Sequence, residues 1–428
     1  MNAPFGPAAL GVVEIAATAL FAAAVLHTFL TRYFEHLARI HPRHAGLWHL
    51  FGEVETVFGI WALLLIAFMA LYAGPSASLH YLESRTFTEP AFIFVIMVIA
   101  ASRPIIDFAG AALRWFAALL PIQASVGYYF SLLFIGPLLG SFITEPAAMT
   151  LSALLLRQRY FSAQAPRMFK YGTIGVLFVN VSIGGTLTPF AAPPVLMVAD
   201  RWGWDIAFTL QTFGWKAASA VFVNAAMAAF LFRRHLSQLP AMSAALGRLD
   251  VPLVVIAIHV AFLAAVVVSS HHLVIFAVLF LFFLGYVEAY RRHQSRLIIR
   301  EALMVSLFLG GLVVLGGLQG WWLGPLLANM GSSTLYYGAT ALTAVTDNAA
   351  LTYLGSLVSG LSPEAKYALV AGAVSGGGLT VIANAPNPAG FAILKDTFDD
   401  GAIDPWLLAL AAAGPTVTAM VAFQLLPG

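Results

Sequence analysis

Ten apolar stretches, each near the length a helix needs to cross a bilayer, constrain this chain more than any other feature. A crossing takes about 20 residues, each rising about 1.5 Å. The stretches fall at residues 12–30, 54–73, 90–112, 171–199, 206–232, 251–268, 273–290, 302–322, 367–394 and 405–425, with glycine and proline breaking the fourth and ninth. Only 9% of the 428 residues are charged, where a soluble domain carries about a quarter. The pattern predicts an all-α polytopic membrane protein, partnered by the lipid bilayer and without a nucleic-acid surface. The first stretch lacks a basic leader and contains Glu14, so it is expected as a retained helix rather than a signal peptide. The absence of cysteine excludes disulfides, thiolate metal sites and cysteine catalysis.

Two further apolar stretches, 126–156 and 334–358, carry polar interruptions. The first contains Thr144-Glu145-Pro146-Ala147-Ala148-Met149-Thr150, after breaks at Gly136-Pro137 and Gly140. The second contains Thr346-Asp347-Asn348-Ala349-Ala350-Leu351-Thr352. Each is expected as a re-entrant hairpin whose halves are too short to cross and whose tip is the motif. Non-helical backbone at membrane depth must be buried in protein or line a cavity. Each hairpin is followed by a broken stretch, Ser182-Ile183-Gly184-Gly185-Thr186-Leu187-Thr188-Pro189 or Ser375-Gly376-Gly377-Gly378-Leu379-Thr380. Matching interruptions in two hydrophobic halves point to the binding site of a secondary transporter.

Loop charges set the orientation. Arg32, Arg39, Arg43, Arg157, Arg159, Arg167, Lys170, Arg233, Arg234, Arg248, Arg291, Arg292, Arg296 and Arg300 fall on one side if the hairpins do not cross. The positive-inside rule makes that side cytoplasmic and both termini external, with Trp202, Trp204, Trp321 and Trp322 at the outer interface. Arg85, Arg201, Lys216 and Lys366 dissent. The halves then form an inverted repeat of two five-span units. The first is 1–240 with hairpin 126–156, the cytoplasmic linker is 241–250, and the second is 251–428 with hairpin 334–358.

The chemistry lies at the tips and breaks. Glu145 and Asp347 each precede a half-helix, so either can serve as an N-cap that satisfies free amides. An intramembrane acid is also a functional candidate by default. Burial favours a protonated carboxylate and a bound cation favours the ionised one, so one buried acid can hold either a proton or a sodium ion. Sodium, a hard cation, takes oxygen ligands. Asp347 with Thr346 and Asn348, and Glu145 with Thr144, offer such oxygens. The breaks add Ser182, Thr188, Ser375, Thr380 and Asn384, with backbone carbonyls of Gly184, Gly185, Gly376, Gly377 and Gly378. A proline–glycine kink used only for packing is the competing reading of either break. Gly376-Gly377-Gly378 lacks the continuation of a phosphate loop.

Ala341-Leu342-Thr343-Ala344-Val345-Thr346-Asp347-Asn348, with Gly376-Gly377-Gly378-Leu379-Thr380-Val381-Ile382-Ala383-Asn384, resembles the NhaD-type sodium/proton antiporters. Ser182 to Pro189 looks like their first-half counterpart. More widely the chain resembles the ion-transporter superfamily, which includes divalent-anion/sodium symporters and arsenite efflux permeases. The resemblance implies a homodimer in a bacterial inner membrane, working by an elevator mechanism. It implies cation ligation by Asp347, Asn348, Thr380 and Asn384, with Na+ and H+ as transported ions and no cofactor. Glu145-Pro146 departs from the Asn-containing first hairpin usual in those relatives, which favours cation or proton handling.

Sodium-coupled symport or export of a small anion is the alternative, since half-helix N-termini also hold anions. A membrane-embedded hydrolase using Glu145 and Asp347 is more remote, because no nucleophile–base or metal-binding histidine motif accompanies them. His27, His36, His41, His44 and His49, with Glu35, Glu53 and Glu55, read as a solvated loop or a pH sensor. For Asp107, Lys216 and Glu14 the expectation is counter-ion pairing or snorkelling.

Overall fold

A computed structural model of the chain describes residues 7–162, 164–239, 250–398 and 403–427. Arg248 and almost all of the linker 241–250 lie outside the described residues, as do the side chains of Arg32, Glu35 and Glu55. Helices dominate, and no strand occurs among the described residues.

In chain order, the first two apolar stretches become α1 (Pro7–Thr28) and α2 (Val54–Tyr72). The third is not one straight helix. It divides into α3 (Thr88–Ala100) and α4 (Arg103–Leu119), bent by 67°. Ser102 is extended at the junction and Pro104 lies in the first turn of α4, where proline cannot continue the preceding helix. The first hairpin is α5 (Ala124–Ile143) and α6 (Glu145–Arg159). Here the expectation of two short halves fails. Helix α5 runs for 20 residues straight through Gly136, Pro137 and Gly140, and is long enough to cross.

The fourth stretch breaks as expected into α7 (Arg167–Gly184), a 3₁₀ turn at Gly185–Leu187, and α8 (Pro193–Trp202). Helix α9 (Ile206–Leu231) is continuous but contains a π-helical turn at Leu210–Gly214. Then come α10 (Leu253–Val268), α11 (Leu273–Ala289), α12 (Ile299–Gly316) and α13 (Gly320–Ala328). The second hairpin is α14 (Ser332–Thr343) and α15 (Asn348–Ser356). The last broken stretch gives α16 (Pro363–Gly376) and α17 (Asn387–Leu394), and α18 (Pro405–Leu425) closes the described chain. Of the ten expected spans, four pass a combined length and apolarity test as single helices among the described residues, α1, α9, α12 and α18, and two more if each bent pair counts as one; α5 of the first hairpin passes as well. The others are the broken stretches and α10 and α11, which have 16 and 17 residues.

The chain groups into two compact units. One comprises Met1–Phe94, Ile299–Met330 and Tyr353–Leu361. In it α2 and α12 cross closely, because Gly311 lies against the backbone of Phe58 and Gly59, where a Cβ would not fit. Thr18 and Trp322 both donate to Gln319 Oε1, at 2.9 Å each. His27 is buried here rather than solvated. Its Nδ1 accepts from Trp61 at 3.1 Å and its Nε2 meets the Phe51 carbonyl at 3.0 Å. His36, His41, His44 and His49 are exposed, but the segment is no loop: it forms short helices at Thr31–Ile40 and Ala45–Gly52.

The other unit comprises Val95–Ile298, Gly331–Thr352 and Ser362–Gly428. It contains both hairpin tips and both breaks. The first hairpin is antiparallel, with Gly136 facing Ser152 and Gly140 facing Ala148. In each half of the sequence, the first helix of the hairpin lies along the following broken helix with the same polarity. Tyr129, Leu133 and Pro137 of α5 meet Thr173, Asn180 and Gly184 of α7. Likewise Tyr336 and Thr340 of α14 meet Gly372 and Gly376 of α16. Trp204 is not exposed. It is buried among Trp202, Phe208 and Phe213. Asp107 has the expected counter-ion, Arg103 at 3.5 Å. Lys216 is buried against Tyr367, whose hydroxyl accepts from it at 3.1 Å.

Candidate functional site

Thr144 joins the two helices of the first hairpin at φ 70°, the one positive φ outside glycine among the described residues. Such a conformation costs about 1–3 kcal/mol and persists where surrounding structure enforces it. The turn delivers Glu145 to the start of α6 with Pro146 beside it, at a position that needs no amide donor. Glu145 is completely buried. It does not cap the helix, contrary to one sequence expectation. Its side chain leaves the axis, and Oε2 accepts from Asn384 Nδ2 at 2.9 Å. Oε1 has no protein hydrogen-bond partner. Gly185 makes room for this carboxylate, since a Cβ there would come within 2.7 Å of Glu145 Cγ.

The second tip behaves differently. Asp347 Oδ1 accepts from the amides of Ala349 at 2.8 Å and Ala350 at 3.1 Å, so Asp347 is the N-cap of α15. The capping reading therefore holds for this acid. Asn348 is completely buried, and neither Oδ1 nor Nδ2 has a protein partner. Its backbone amide donates to the Ala383 carbonyl at 3.1 Å, and Thr380 Oγ1 donates to the Ala344 carbonyl at 2.8 Å. These bonds tie the tip to the second break.

The two breaks cross at their glycines. A Cβ on Gly378 would collide with the backbone of Val179, and one on Gly377 with Ser182 Oγ and Asn348 Nδ2. Ser182 Oγ donates to the Val374 carbonyl at 2.8 Å across the same crossing. Asn387, which the sequence reading passed over, donates to the carbonyls of Gly377 at 2.7 Å and Thr380 at 2.8 Å. Ser141, also passed over, donates to the Gly184 carbonyl at 2.7 Å and receives Leu187 N at 2.9 Å. Thr188 Oγ1 donates to the Ser141 carbonyl at 2.6 Å. The carbonyls of Gly184 and Gly377 are thus engaged by side chains. Ser375 stands apart, bonded to Tyr336 at 2.9 Å and to the Ala371 carbonyl at 2.7 Å. Thr346 turns back to the Leu342 carbonyl at 2.8 Å.

The tips and breaks hold several buried oxygens without protein hydrogen-bond partners. They are Glu145 Oε1, Asn348 Oδ1, Asn384 Oδ1, Asn387 Oδ1, Thr144 Oγ1 and Thr343 Oγ1. Buried polar atoms normally find partners, and leaving one unsatisfied costs about 1–3 kcal/mol. Hydrogen bonds link Glu145 to Asn384 and Asn387 to Gly377, and Asn348 lies close enough to Gly377 to leave no room for a Cβ there. No Lys or Arg pairs with Glu145 among the described residues. A carboxylate and amide oxygens in a buried setting suit a hard monovalent cation or a proton.

Compared with known families, residues 12–426 match the model of a family described as "Putative Na+/H+ antiporter". No curated protein matches the chain.

Proposed function

The chain belongs to the putative Na+/H+ antiporter family, matched over nearly its whole length, and from that premise we propose that Glu145 is the group for which sodium and protons compete. It is thus an integral membrane secondary transporter whose transported ions are its substrates, with no cofactor required. Glu145 carries the proposal, since its carboxylate is wholly buried with one oxygen held by Asn384 and the other unpartnered in protein. An ionised carboxylate so placed is stabilised by a cation, and a neutral one by a proton. Binding one releases the other. Asn384, Asn348, Asn387 and Thr144 supply further oxygens, and Asp347 adds negative potential while capping α15. Ser182, Thr188, Thr346 and Thr380 use their protons on backbone carbonyls, which leaves their oxygen lone pairs for a cation.

In this reading the site moves with its helices as a body, in elevator fashion within a homodimer. The residues of both tips and both breaks belong to a single compact unit, which suits such movement. Anion transport fits less well. The N-terminal turns of α6 and α15, where an anion would dock, already hold Glu145 and Asp347.

Proteoliposomes with an internal pH dye test the proposal. An imposed sodium gradient is expected to move protons with the wild type and not with Glu145→Gln. Sodium-dependent uptake of a labelled dicarboxylate without proton movement would overturn it.

A further inference from the structure

Helices α7, α9 and α18 enclose a cavity of about 670 Å³ that has no part in ion binding as proposed above. One end of its lining lies where the three helices end, at Arg167 on α7, Phe232 just beyond α9 and Leu407 on α18. From there it runs inward to Val176, Asn224 and Thr418. Nine helical steps of α7 and eleven of α18 cover that depth, about 13–17 Å at the helical rise. One leaflet of hydrocarbon is about 15 Å thick.

We propose that this cavity holds one acyl chain of an anionic phospholipid, with the exposed Arg167 at this end binding the headgroup phosphate. The walls are apolar, including Met227, Leu231 and Ala411. Arg167 is exposed, rests over the Tyr171 ring at 5.6 Å and makes no ion pair among the described residues. Arg233 and Arg234 follow Phe232 at the same helix ends, and no acidic residue lines the cavity. Basic pockets between membrane helices select anionic headgroups in this way.

The floor connects the cavity to the transport machinery. Asn224 Nδ2 donates to Asn180 Oδ1 at 2.9 Å, and Asn180 lies on α7 just before Ser182 and Gly184. A chain packed against Asn224 and α7 steadies the helix that carries the first break.

Lipid retention tests the site independently of what is transported. Purified protein is stripped of lipid, offered phosphatidylglycerol or phosphatidylcholine with matched chains, and examined by native mass spectrometry. Wild type is expected to retain phosphatidylglycerol in preference. Arg167→Gln should reduce that preference about fivefold, the factor one basic residue contributes near an anionic surface. Gly414 lines the cavity with open space at its Cβ position, so Gly414→Phe should occupy it and lower retention of both lipids. Gly414→Leu repeats the test with a smaller side chain. Equal retention of the two lipids by wild type, or retention unchanged by Arg167→Gln and by both Gly414 substitutions, would overturn the proposal. Exchange stimulated by phosphatidylglycerol in wild type and not in Arg167→Gln would extend it to regulation.

Discussion

Asn384 Nδ2 donates to Glu145 Oε2 at 2.9 Å, joining the tip of the first hairpin to the second break across 239 residues of sequence. This bond makes the two acids unequal. Glu145 is sealed in the protein with an oxygen to spare, whereas Asp347 is half-buried and uses Oδ1 as a cap.

Substitutions at the two acids should therefore separate. Glu145→Gln keeps the shape and removes the charge, so exchange should fall to the background of empty vesicles. Asp347→Asn retains capping ability, since asparagine caps about as well as aspartate. It should leave measurable exchange with weakened sodium affinity, while Asp347→Ala should also lose about 1 kcal/mol of stability. Sodium-driven proton flux and thermal unfolding of the same purified variants check both. Equal loss of flux in Glu145→Gln and Asp347→Asn would contradict the ordering.

Asn384 and Asn387 should differ in kind. Asn384→Ala removes the bond to Glu145 and one amide oxygen, so the sodium KM should rise by about tenfold or more, as for lost supporting contacts at metal sites. Asn387→Ala leaves the Gly377 and Thr380 carbonyls without their shared donor. The Gly377 carbonyl is then unsatisfied, at a cost of about 1–3 kcal/mol, while that of Thr380 keeps the Ala383 amide at 3.4 Å, so this variant should show a lower unfolding temperature in addition to any loss of sodium affinity.

The sequence made the breaks and the tips legible because proline, glycine and isolated acids are conspicuous in apolar runs. Helices end at Gly184 and Gly376, close to where the glycines are read. The roles of individual residues were less legible, because they depend on which segments cross. Gly377 and Gly378 look like sources of free carbonyls, yet their missing side chains first of all let the second break lie against Val179 and Ser182. Asn387 stands between Pro386 and Pro388, where it reads as turn chemistry. A buried amide in an apolar run was the signal that could have singled it out. Pro137 misled for the opposite reason. A lone proline need not end a helix whose neighbours bury it, and α5 passes through it.

The crossing of the two breaks should be intolerant of any added side chain. Gly378→Ala would drive a Cβ into the backbone of Val179, which cannot rotate aside as a side chain would. Overpacking costs about 1–3 kcal/mol even where side chains can shift, so the variant should unfold at markedly lower temperature or fail to accumulate. Gly285 in α11 has no neighbour near its Cβ position. Gly285→Ala should be neutral or slightly stabilising, by up to about 1 kcal/mol from helix propensity. Thermal unfolding of the two variants in one detergent makes the comparison.

Competition at a single carboxylate also fixes how sodium affinity depends on pH. If Glu145 binds either one sodium ion or one proton, protonation removes the sodium site, and lowering the pH raises the apparent sodium KM. Once most sites are protonated, mass action makes that rise about tenfold per pH unit while the limiting rate at saturating sodium is unchanged. At higher pH, where the carboxylate is ionised before sodium arrives, the KM should level off. Initial rates of sodium-driven flux across a pH series, fitted for KM and limiting rate separately, show which regime holds. A sodium KM independent of pH together with a limiting rate that falls in acid would mean that proton and sodium occupy different groups. Asp347, the acid at the second tip, would then be the next residue to substitute.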